Sequence, residues 1–530
     1  MSTIVTRSVK GYPLTWDEMD DNLNNLNYGS YISVKDTAYG AVGDGTTDDT
    51  AAIQAAITAN PGKVIYLPAG TYLVSSTITI STSGTKLVGD GQGSTKITRS
   101  GDFTDTFVFT GNDGTGAVIT DVGIRGLTIR STGLMTSGSH IKMRGIARAT
   151  VSDIYLEQGF IGFNFKGVTA LFVSNVYLVF TNLFGGTATG RRFMLFGNAS
   201  ETYGHPSCGD VFVSNFNLRG NTSGQVTEIG LEIISGDGIW FSNGHIGNST
   251  YTNISINANT THMLNMLFFD NVMSDEGVQF SLRIEGNGPI VYSKIQFSNC
   301  LFKSGGNPAY CQYGIFFVAG TTVERVLFSN CIVTEFGYTG VTVASTTARF
   351  LKFSDCDVHW NGRTVGDDSP GYNLLTGTQN ISIIGGSSGG WGYLDVAPTQ
   401  SYGIQLSTGH SYIQIRDMDL TENVLGSING TNAETQTSNN RVQDSIDVAS
   451  AATLIPINGH DLVFVTGTTG ITNIAPSWLG RKITLSFSGV LTITDGGNLK
   501  MAGNFTSSAY SSISFVYDGA EWIETGRSTN

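Results

Sequence analysis

One short pattern of apolar and polar positions recurs along the middle of the chain. Between Leu267 and Val358 it is written four times, as L-F-F-D-N-V-M-S-D-E, I-Q-F-S-N-C-L-F-K-S, V-L-F-S-N-C-I-V-T-E and L-K-F-S-D-C-D-V-H-W. The fourth residue of each copy is its anchor, and the anchors are spaced by 28, 31 and 25 residues: Asp270, Ser298, Ser329 and Ser354. Further anchors are Arg125, Ser152, Ser174, Ser214, Ser242, a weaker one near Ile384, and Arg416. A period of 20–50 residues indicates a repeat architecture.

Each copy predicts two short strands separated by a polar kink. Apolar residues alternate with polar ones on both sides of the anchor, which is the period of a strand. No helical pattern lies between copies, so βαβ units are not expected. Strands coiled at this period form a parallel β-helix, in which each rung buries an apolar face against the next at roughly 4.8 Å. We expect this coil over residues 81–440.

The register also predicts which side chains face outward. Positions +2 and +4 from each anchor are apolar and should point inward, as in Cys300/Phe302, Cys331/Val333 and Cys356/Val358. Positions +3 and +5 should then point outward, and +6 should lie at the strand end. Only 13% of the chain is charged, about half the usual share of roughly 25%. Yet charged and aromatic side chains collect in these columns: Arg130, Glu157, Arg219, Asp275, Lys303 and His359 at +5, with Glu276, Glu335, Trp360 and Glu422 at +6. The stripe predicts one wall of a binding groove; the alternative is a solvated sheet face.

Composition excludes several classes of function. The net charge of −13 argues against nucleic acid as a ligand, because a backbone binder needs a basic surface. No apolar run approaches the 18 residues of a membrane span, and no signal-peptide pattern is visible. Of five cysteines, three lie on one inward column and indicate buried thiols rather than disulfides. Asp44, Asp48 and Asp49 lack a full set of calcium ligands, so we expect neither a metal nor a cofactor.

Residues 31–80 carry the most specific resemblance to a known family. Y-I-S-V-K-D-T-A-Y-G-A-V-G-D-G-T-T-D-D-T-A-A-I-Q-A-A-I, followed by G-K-V-I-Y-L-P-A-G-T-Y-L-V-S-S-T-I-T-I, resembles the opening motif of pectate-lyase-type right-handed β-helices. The pattern predicts strand, glycine-rich turn, helix and strand, with Thr46 or Thr47 capping the helix and Asn60-Pro61-Gly62 ending it. This helix should plug the open end of the coil.

The two ends of the chain resemble bacteriophage tail fibre and tailspike proteins. Residues 1–30 predict a short helix, with Thr15 and Glu18 as a capping box, and are similar to segments that attach to the phage tail or baseplate. Residues 441–530 lose the repeat and predict conventional hairpin strands in a small β-sandwich-like domain. It resembles tailspike C-terminal domains for trimer assembly or carbohydrate contact. The resemblance implies a homotrimer on the virion that acts outside the host cell on a bacterial surface polysaccharide, capsule or lipopolysaccharide.

The stripe contains carboxylates at spacings that suit glycoside hydrolysis. Asp275 or Glu276 lies two rungs from Glu335, with Lys303 between them, and two rungs measure about 9.6 Å, the upper end of the inverting range. Glu335 and Asp357 on adjacent rungs, roughly 5 Å apart, are the retaining alternative. We expect the substrate to contact the residues beside these acids: Lys303, His359, Trp360, Asp357, Tyr338 and His245.

Other interpretations stay open at this point. A polysaccharide lyase would use Lys303, His245, His359 or Arg219 as a base. An adhesin would have the same groove without cleavage, and the site could lie between subunits. Two irregular segments could overhang the groove or be plain loops; they hold Arg191, Arg192, Glu201, Tyr203, His205, Arg363, Asp367, Asp368 and Tyr372.

Overall fold

The protein is represented by a computed structural model. It describes residues 13–15, 19, 31–102, 104–111, 118–180, 189–197, 207–220, 227–258, 264–286, 293–305, 311–363, 369–389, 399–430, 435–442, 447–456 and 460–529. The chain forms two compact units, Met1–Leu231 with Ser235–Trp240, and Glu232–Ile234 with Phe241–Asn530. The predicted coil therefore contributes to both units. The predicted helix within residues 1–30 falls almost entirely outside the described residues.

The first unit contains the only helix of eight or more residues among those described, α1 (Thr50–Ala59). Its strands are β1 (Tyr31–Ser33), β2 (Asp44–Asp48), β3 (Val64–Leu67), β4 (Gly70–Val74), β5 (Ile78–Ile80), β6 (Lys86–Gly89), β7 (Thr95–Arg99), β8 (Phe107–Thr110), β9 (Ile119–Ser131), β10 (Ser139–Glu157), β11 (Ile161–Phe180), β12 (Arg192–Phe196) and β13 (Cys208–Gly220). β14 (Ile229–Ile233) and β15 (Gly236–Gly247) contain residues of both units.

The helix is confirmed, but its predicted cap is wrong. The residue preceding the first turn is Asp49, and its side chain makes no capping bond within the helix. Asp49 instead accepts the backbone N–H groups of Val42 (2.6 Å) and Gly43 (3.1 Å). Thr47 turns away because its hydroxyl donates to Asp44 at 2.9 Å. These carboxylates therefore fold the glycine-rich turn that leads into the helix.

Parallel pairing in the first unit follows the anchors of the repeat. Arg125 pairs with Ser152, Ser152 with Ser174, and Ser174 with Ser214. The apolar residues around these anchors are almost fully buried, which is where burial stabilises the fold by about 1.5–3 kcal/mol per large side chain. The predicted parallel β-helix is confirmed.

The second unit continues the same kind of coil over eighteen strands, if only described residues are counted. They are β16 (Thr252–Ala258), β17 (Leu264–Asp275), β18 (Phe280–Gly286), β19 (Ser293–Ser298), β20 (Leu301–Lys303), β21 (Tyr313–Phe317), β22 (Val326–Ser329), β23 (Ile332–Thr334), β24 (Val341–Val343), β25 (Leu351–His359), β26 (Tyr372–Leu374), β27 (Gln379–Gly389), β28 (Tyr402–Leu406), β29 (Ser411–Arg416), β30 (Asp419–Leu420), β31 (Gly426–Asn429), β32 (Thr435–Ser438) and β33 (Arg441–Val442). Its anchors pair in the order Asp270, Ser298, Ser329, Ser354, Ile384, Arg416 and Ser438.

Stacked side chains fill the interior of the second unit. Five phenylalanines directly before the anchors stack with ring centroids 4.6–4.9 Å apart: Phe241, Phe269, Phe297, Phe328 and Phe353. Stacked pairs of this kind add about 0.5–1.5 kcal/mol beyond their buried area. The predicted thiol column, Cys300, Cys331 and Cys356, is buried, and all five cysteines are free thiols.

Several residues directly after the anchors are asparagines with a left-handed backbone, and we call this column the asparagine ladder. Asn299 has φ 54° and Asn330 has φ 52°, a region that asparagine tolerates better than most residues. The Asn330 amide donates to Asn299 at 2.7 Å, and Asn175 donates to Asp153 at 3.2 Å in the first unit. Side-chain amides thus bond to an amide or a carboxylate on the neighbouring rung.

Residues beyond the coil form a separate mixed sheet, in the order β34 (Asp447–Ala449), β36 (Leu462–Thr466), β38 (Lys482–Phe487), β42 (Ser512–Tyr517), β43 (Trp522–Ser528) and β40 (Leu499–Lys500). Short pairs join β35 (Thr453–Leu454) with β37 (Asn473–Ile474), and β39 (Thr492–Ile493) with β41 (Phe505–Thr506). Hairpin pairing was predicted throughout, but β34, β36 and β38 pair in parallel. One apolar cluster from Leu454 to Trp522 packs this region. No helix in the described part is long and apolar enough to span a membrane.

Candidate functional site

The candidate site lies at the ends of four stacked strands, β17, β20, β23 and β25. Ser274 pairs with Phe302, Phe302 with Val333, and Val333 with Val358. The residues directly after these pairs, among them Asp275, Lys303 and His359, therefore lie on successive rungs of the coil. We call this group the corner cluster: His245, Asp275, Glu276, Lys303, Glu335, His359, Trp360 and Arg363.

Asp275 and His245 meet directly. The Asp275 Oδ1 lies 2.7 Å from His245 Nε2. Only 8% of Asp275 is exposed, so it is more enclosed than the alternating pattern predicts for an outward position. The chain turns back over it: the Asn253 amide donates to the Asp275 carbonyl at 2.6 Å. A Cβ on Gly247 would lie 2.4 Å from Oδ1, so only glycine leaves room for this carboxylate.

Glu276 occupies the left-handed corner that follows Asp275, with φ 54°. Gly305 on the next rung gives its side chain space, since a Cβ there would lie 2.2 Å from the Glu276 Cγ. A non-glycine residue in this conformation costs about 1–2 kcal/mol. The corner therefore retains a carboxylate at an energetic cost.

Glu335 lies between two cations. Lys303 Nζ is 3.1 Å from Oε1, and Arg363 Nη1 is 3.7 Å from Oε2. The Arg363 guanidinium also lies over the Trp360 ring, 4.4 Å from its centroid. Glu335 and Trp360 both have left-handed backbones, with φ 70° and 54°. Lys303, which the sequence placed on the rung between the two carboxylates, thus contacts Glu335, and Arg363 contacts it as well.

A buried amide fixes the corner that carries Glu335. Asn361 accepts the backbone N–H of Phe336 at 3.2 Å and donates to the Val333 carbonyl at 3.4 Å. Its amide also donates to Gln400 at 3.1 Å. Since Val333 and Phe336 flank Glu335 closely, Asn361 positions that carboxylate.

His359 and Asp357 lie on the next rung. Burial lowers the pKa of His359, although the carboxylates of Asp357 and Glu335 oppose that effect. The neutral imidazole is therefore favoured, as a base or hydrogen-bond partner requires. Asp357 accepts a hydrogen bond from Ser387 at 2.9 Å.

Tyr338 belongs to an aromatic ladder formed by residues that follow the corners. Its ring stacks on Tyr313, with centroids 5.4 Å apart and planes at 23°. Tyr313 stacks on Phe280 in the same way, at 5.4 Å and 17°. Tyr338 is therefore held by rings of its own kind rather than by the charged residues.

The irregular segments contribute unevenly. Arg191 is buried. Arg192 begins β12, and its Nη1 lies 2.8 Å from Oε2 of Glu228, the residue before β14. Tyr372 does not overhang a groove, because it is fully buried, so that prediction is wrong. Glu201, Tyr203, His205, Asp367 and Asp368 lie outside the described residues.

The corner cluster can support acid–base chemistry on a chain of sugars. It contains carboxylates, a histidine bonded to a carboxylate, and cations that can bind hydroxyl or acidic groups. The described part of the chain contains no group of three or more His, Cys, Asp or Glu side chains that could hold a metal ion.

Residues 31–301 match the family described as rhamnogalacturonase A/epimerase, pectate lyase-like. The chain belongs to this family. The matched span includes His245, Asp275 and Glu276, and it ends before Glu335. The pectate lyase-like match therefore covers the coil as far as residue 301 and includes His245, Asp275 and Glu276 of the corner cluster.

Two curated relatives of this pectate lyase-like chain match over short segments. Mannuronan C5-epimerase AlgE3 from Azotobacter vinelandii is 49% identical over 76 residues, which is 12% of this chain and 4% of that protein. Glucan 1,3-beta-glucosidase from Cochliobolus carbonum is 42% identical over 78 residues, which is 13% of this chain and 10% of that protein. The chain thus matches a tenth or less of the length of these relatives.

A solved structure resembles the chain over nearly its whole length. Tailspike protein 3 of bacteriophage CBA120 covers 96% of this chain and 71% of its own, with a TM-score of 0.56 and 13% identity. At this identity the likeness concerns the fold alone.

Sequence reasoning named Arg363 as a loop residue but missed its contact with Glu335, and it missed Asn361 and the nearby Arg283–Glu285 pair. Arg363 and Asn361 follow Trp360 in a segment without strand pattern, and their contacts with Glu335 and its corner cross between rungs. Arg283 and Glu285, which pair with each other, lie on the second strand of a rung. Counting outward positions from that strand as well would have found them.

Proposed function

We propose that this chain is a phage tailspike depolymerase that binds and hydrolyses a bacterial surface polysaccharide, capsule or lipopolysaccharide O-antigen. The supporting observation is the corner cluster itself, which places Asp275 and Glu276 two rungs from Glu335, with Lys303 on the rung between them. One pair member, Glu335, is held by two cations and a buried amide. This is the preorganisation that catalytic groups require.

The spacing of the carboxylates favours inversion. Two rungs correspond to roughly 9.6 Å between backbones, near the upper limit for an inverting pair, which must leave room for a water molecule. Asp275 or Glu276 and Glu335 share the roles of acid and base. Lys303, His359, Trp360, Asp357, Tyr338 and His245 contact the sugars on either side.

Known proteins of similar sequence or fold support a polysaccharide substrate and a place on the virion. The names of the two curated relatives identify enzymes of mannuronan and glucan. The structural neighbour is a phage tailspike. We accordingly propose that the chain assembles as a homotrimer, attaches to the phage tail or baseplate through its N-terminal residues, and acts outside the host cell.

The test is incubation of the purified protein with capsules and lipopolysaccharides from a panel of bacterial strains. Hydrolysis produces reducing ends without a new ultraviolet absorbance. Binding to one strain without any product from it would contradict cleavage and identify an adhesin.

The hydrogen bond between His245 and Asp275 favours a second candidate, β-elimination on a uronate. A carboxylate that orients a histidine makes it a competent base, while Lys303 and Arg363 could neutralise the uronate carboxylate. Elimination removes the C5 proton and breaks the C4–O bond, which leaves an unsaturated sugar. Reducing ends that appear together with ultraviolet absorbance would therefore establish the lyase and exclude the hydrolase.

A further inference from the structure

An aromatic ladder and an ion pair share one outward face of the second unit. Phe280, Tyr313 and Tyr338 stack in order, and Tyr251 packs edge-on against Phe280 at 5.6 Å. All four rings are only partly buried. Because their faces cover one another, they present ring edges and tyrosine hydroxyls to the surface.

The ladder carries a charged group at its Phe280 end. The Arg283 guanidinium lies 5.6 Å from the Phe280 centroid and 5.2 Å from that of Tyr251. Arg283 pairs with Glu285, and their side chains are 17% and 19% exposed. Burial raises the pKa of Glu285, the charge of Glu232 adds to this effect, and Arg283 opposes it. Hydrogen-bond donors and acceptors thus adjoin a firm apolar surface.

At the other end of the ladder, no further aromatic ring among the described residues stacks on Tyr338. The Gly362 N–H donates to the Tyr338 carbonyl at 2.7 Å, so glycine is the neighbour of Tyr338 on the next rung. Glycine has no side chain to stack there. Tyr338 also lies only three positions after Glu335, which places the open end of the ladder beside the corner cluster.

We propose that this ladder, with Arg283 and Glu285, is a second sugar-binding site that takes uncharged pyranose residues. The proposal rests on the polysaccharide substrate proposed above. The outer face of the Tyr338 ring can contact the apolar face of a sugar, while the tyrosine hydroxyls and the Arg–carboxylate pair offer donors and acceptors to sugar hydroxyls. Uronates are disfavoured, because Arg283 is outweighed by Glu285 together with Glu232. The site would hold the chain while the corner cluster acts on it.

The test uses polysaccharide extracted from a strain that the protein binds. Partial acid hydrolysis yields oligosaccharides without enzyme action, and anion exchange separates neutral from acidic fractions. Calorimetry then gives the Kd of each fraction for the wild type, Tyr338→Ala and Arg283→Ala. We expect the neutral fraction to bind at least about tenfold more weakly to both variants, a change worth roughly 1.4 kcal/mol.

Phe172→Ala is the matched control, since Phe172 is a 52% exposed ring stacked on Phe212 in the first unit. Its affinity should equal that of the wild type. Tyr313→Leu keeps an apolar side chain and replaces any variant that fails to fold. Unchanged affinity in the ladder variants, or an effect on the acidic fraction alone, would overturn the site. Ladder-dependent binding by a protein that cleaves nothing would overturn only the cleavage.

Discussion

The asparagine ladder and the corner cluster both contain residues with left-handed backbones, yet their side chains find different hydrogen-bond and ion-pair partners. In the ladder one residue type recurs, and an amide bonds its counterpart on the neighbouring rung, as Asn330 does with Asn299, or an aspartate, as Asn175 does with Asp153. In the corner cluster the corresponding residues differ from rung to rung, and Glu335 bonds Lys303 and Arg363 instead. A regular column stabilises a repeat, whereas an irregular one brings unlike groups together.

Local energetics sharpen this contrast. Asparagine is among the residues that adopt left-handed backbones readily, so the ladder follows the preference of each residue. Glu276, Glu335 and Trp360 have no such preference, and their conformation costs about 1–2 kcal/mol each. Arg325 and Phe350 share this backbone outside the corner cluster, so the strain belongs to the corners of the coil in general, and it is the unlike side chains that distinguish the cluster.

The largest expected effect comes from Glu335→Gln. The change keeps the shape of the side chain and removes its charge, so it should lower kcat/KM for polysaccharide cleavage by roughly 10²–10⁴-fold. Thermal unfolding should change little by comparison. Reducing-end formation under initial-rate conditions measures the loss.

The matched control is Glu324→Gln, because Glu324 also pairs with an arginine, Arg349, at 3.9 Å outside the corner cluster. This variant should cleave at the wild-type rate. Normal turnover by Glu335→Gln would exclude Glu335 from the chemistry.

A buried histidine of the first unit provides the next effect, on stability rather than turnover. Burial lowers the pKa of His140 to about 4, below the value near 6.5 of an unfolded histidine. Between these two values the unfolded chain binds a proton that the folded chain does not. The free energy of unfolding should therefore fall by about 3 kcal/mol as the pH drops from 6.5 to 4.

Denaturant unfolding of the wild type and His140→Gln at several pH values checks this. The variant should lose much of the pH dependence over that interval. An equal slope in both proteins would show that other groups control acid unfolding. His140 lies outside the corner cluster, so its titration affects stability alone. Burial also favours the neutral form of His359 within the cluster.

Gly247→Ala tests whether the coil reserves space for a carboxylate. The new Cβ would lie 2.4 Å from Asp275 Oδ1, so Asp275 must move and its bond to His245 should break. We expect a stability loss of about 1–3 kcal/mol and a measurable fall in kcat. Gly133→Ala is the control, because nothing lies within 4 Å of its Cβ. Full activity in Gly247→Ala would mean that the His245–Asp275 contact is dispensable.

The repeat itself could be predicted from the sequence, because pairing between rungs follows the period of one phrase. The anchors pair as counted, and Cys300, Cys331 and Cys356 lie inside the coil as expected. The burial of Asp275 could not be predicted by alternation, since the corner after it breaks the strand and Asn253 folds over it. Arg363 was missed as a partner of Glu335 for the same reason: corners obey turn geometry, not a period of two.

The smallest expected effect tests the regular column. Asn330→Ala removes the hydrogen bond to Asn299 and leaves alanine, which adopts a left-handed backbone poorly, at φ 52°. Asn330→Gly removes the same bond, about 0.5–1.5 kcal/mol, but relieves the backbone.

Alanine should therefore destabilise the coil by about 1–2 kcal/mol and glycine by less, with both proteins cleaving polysaccharide normally at temperatures where they are folded. Urea unfolding and initial rates on the same samples decide the matter. If Asn330→Ala lost turnover without losing stability, the asparagine ladder would belong to the site, and the division between regular and irregular columns would be wrong.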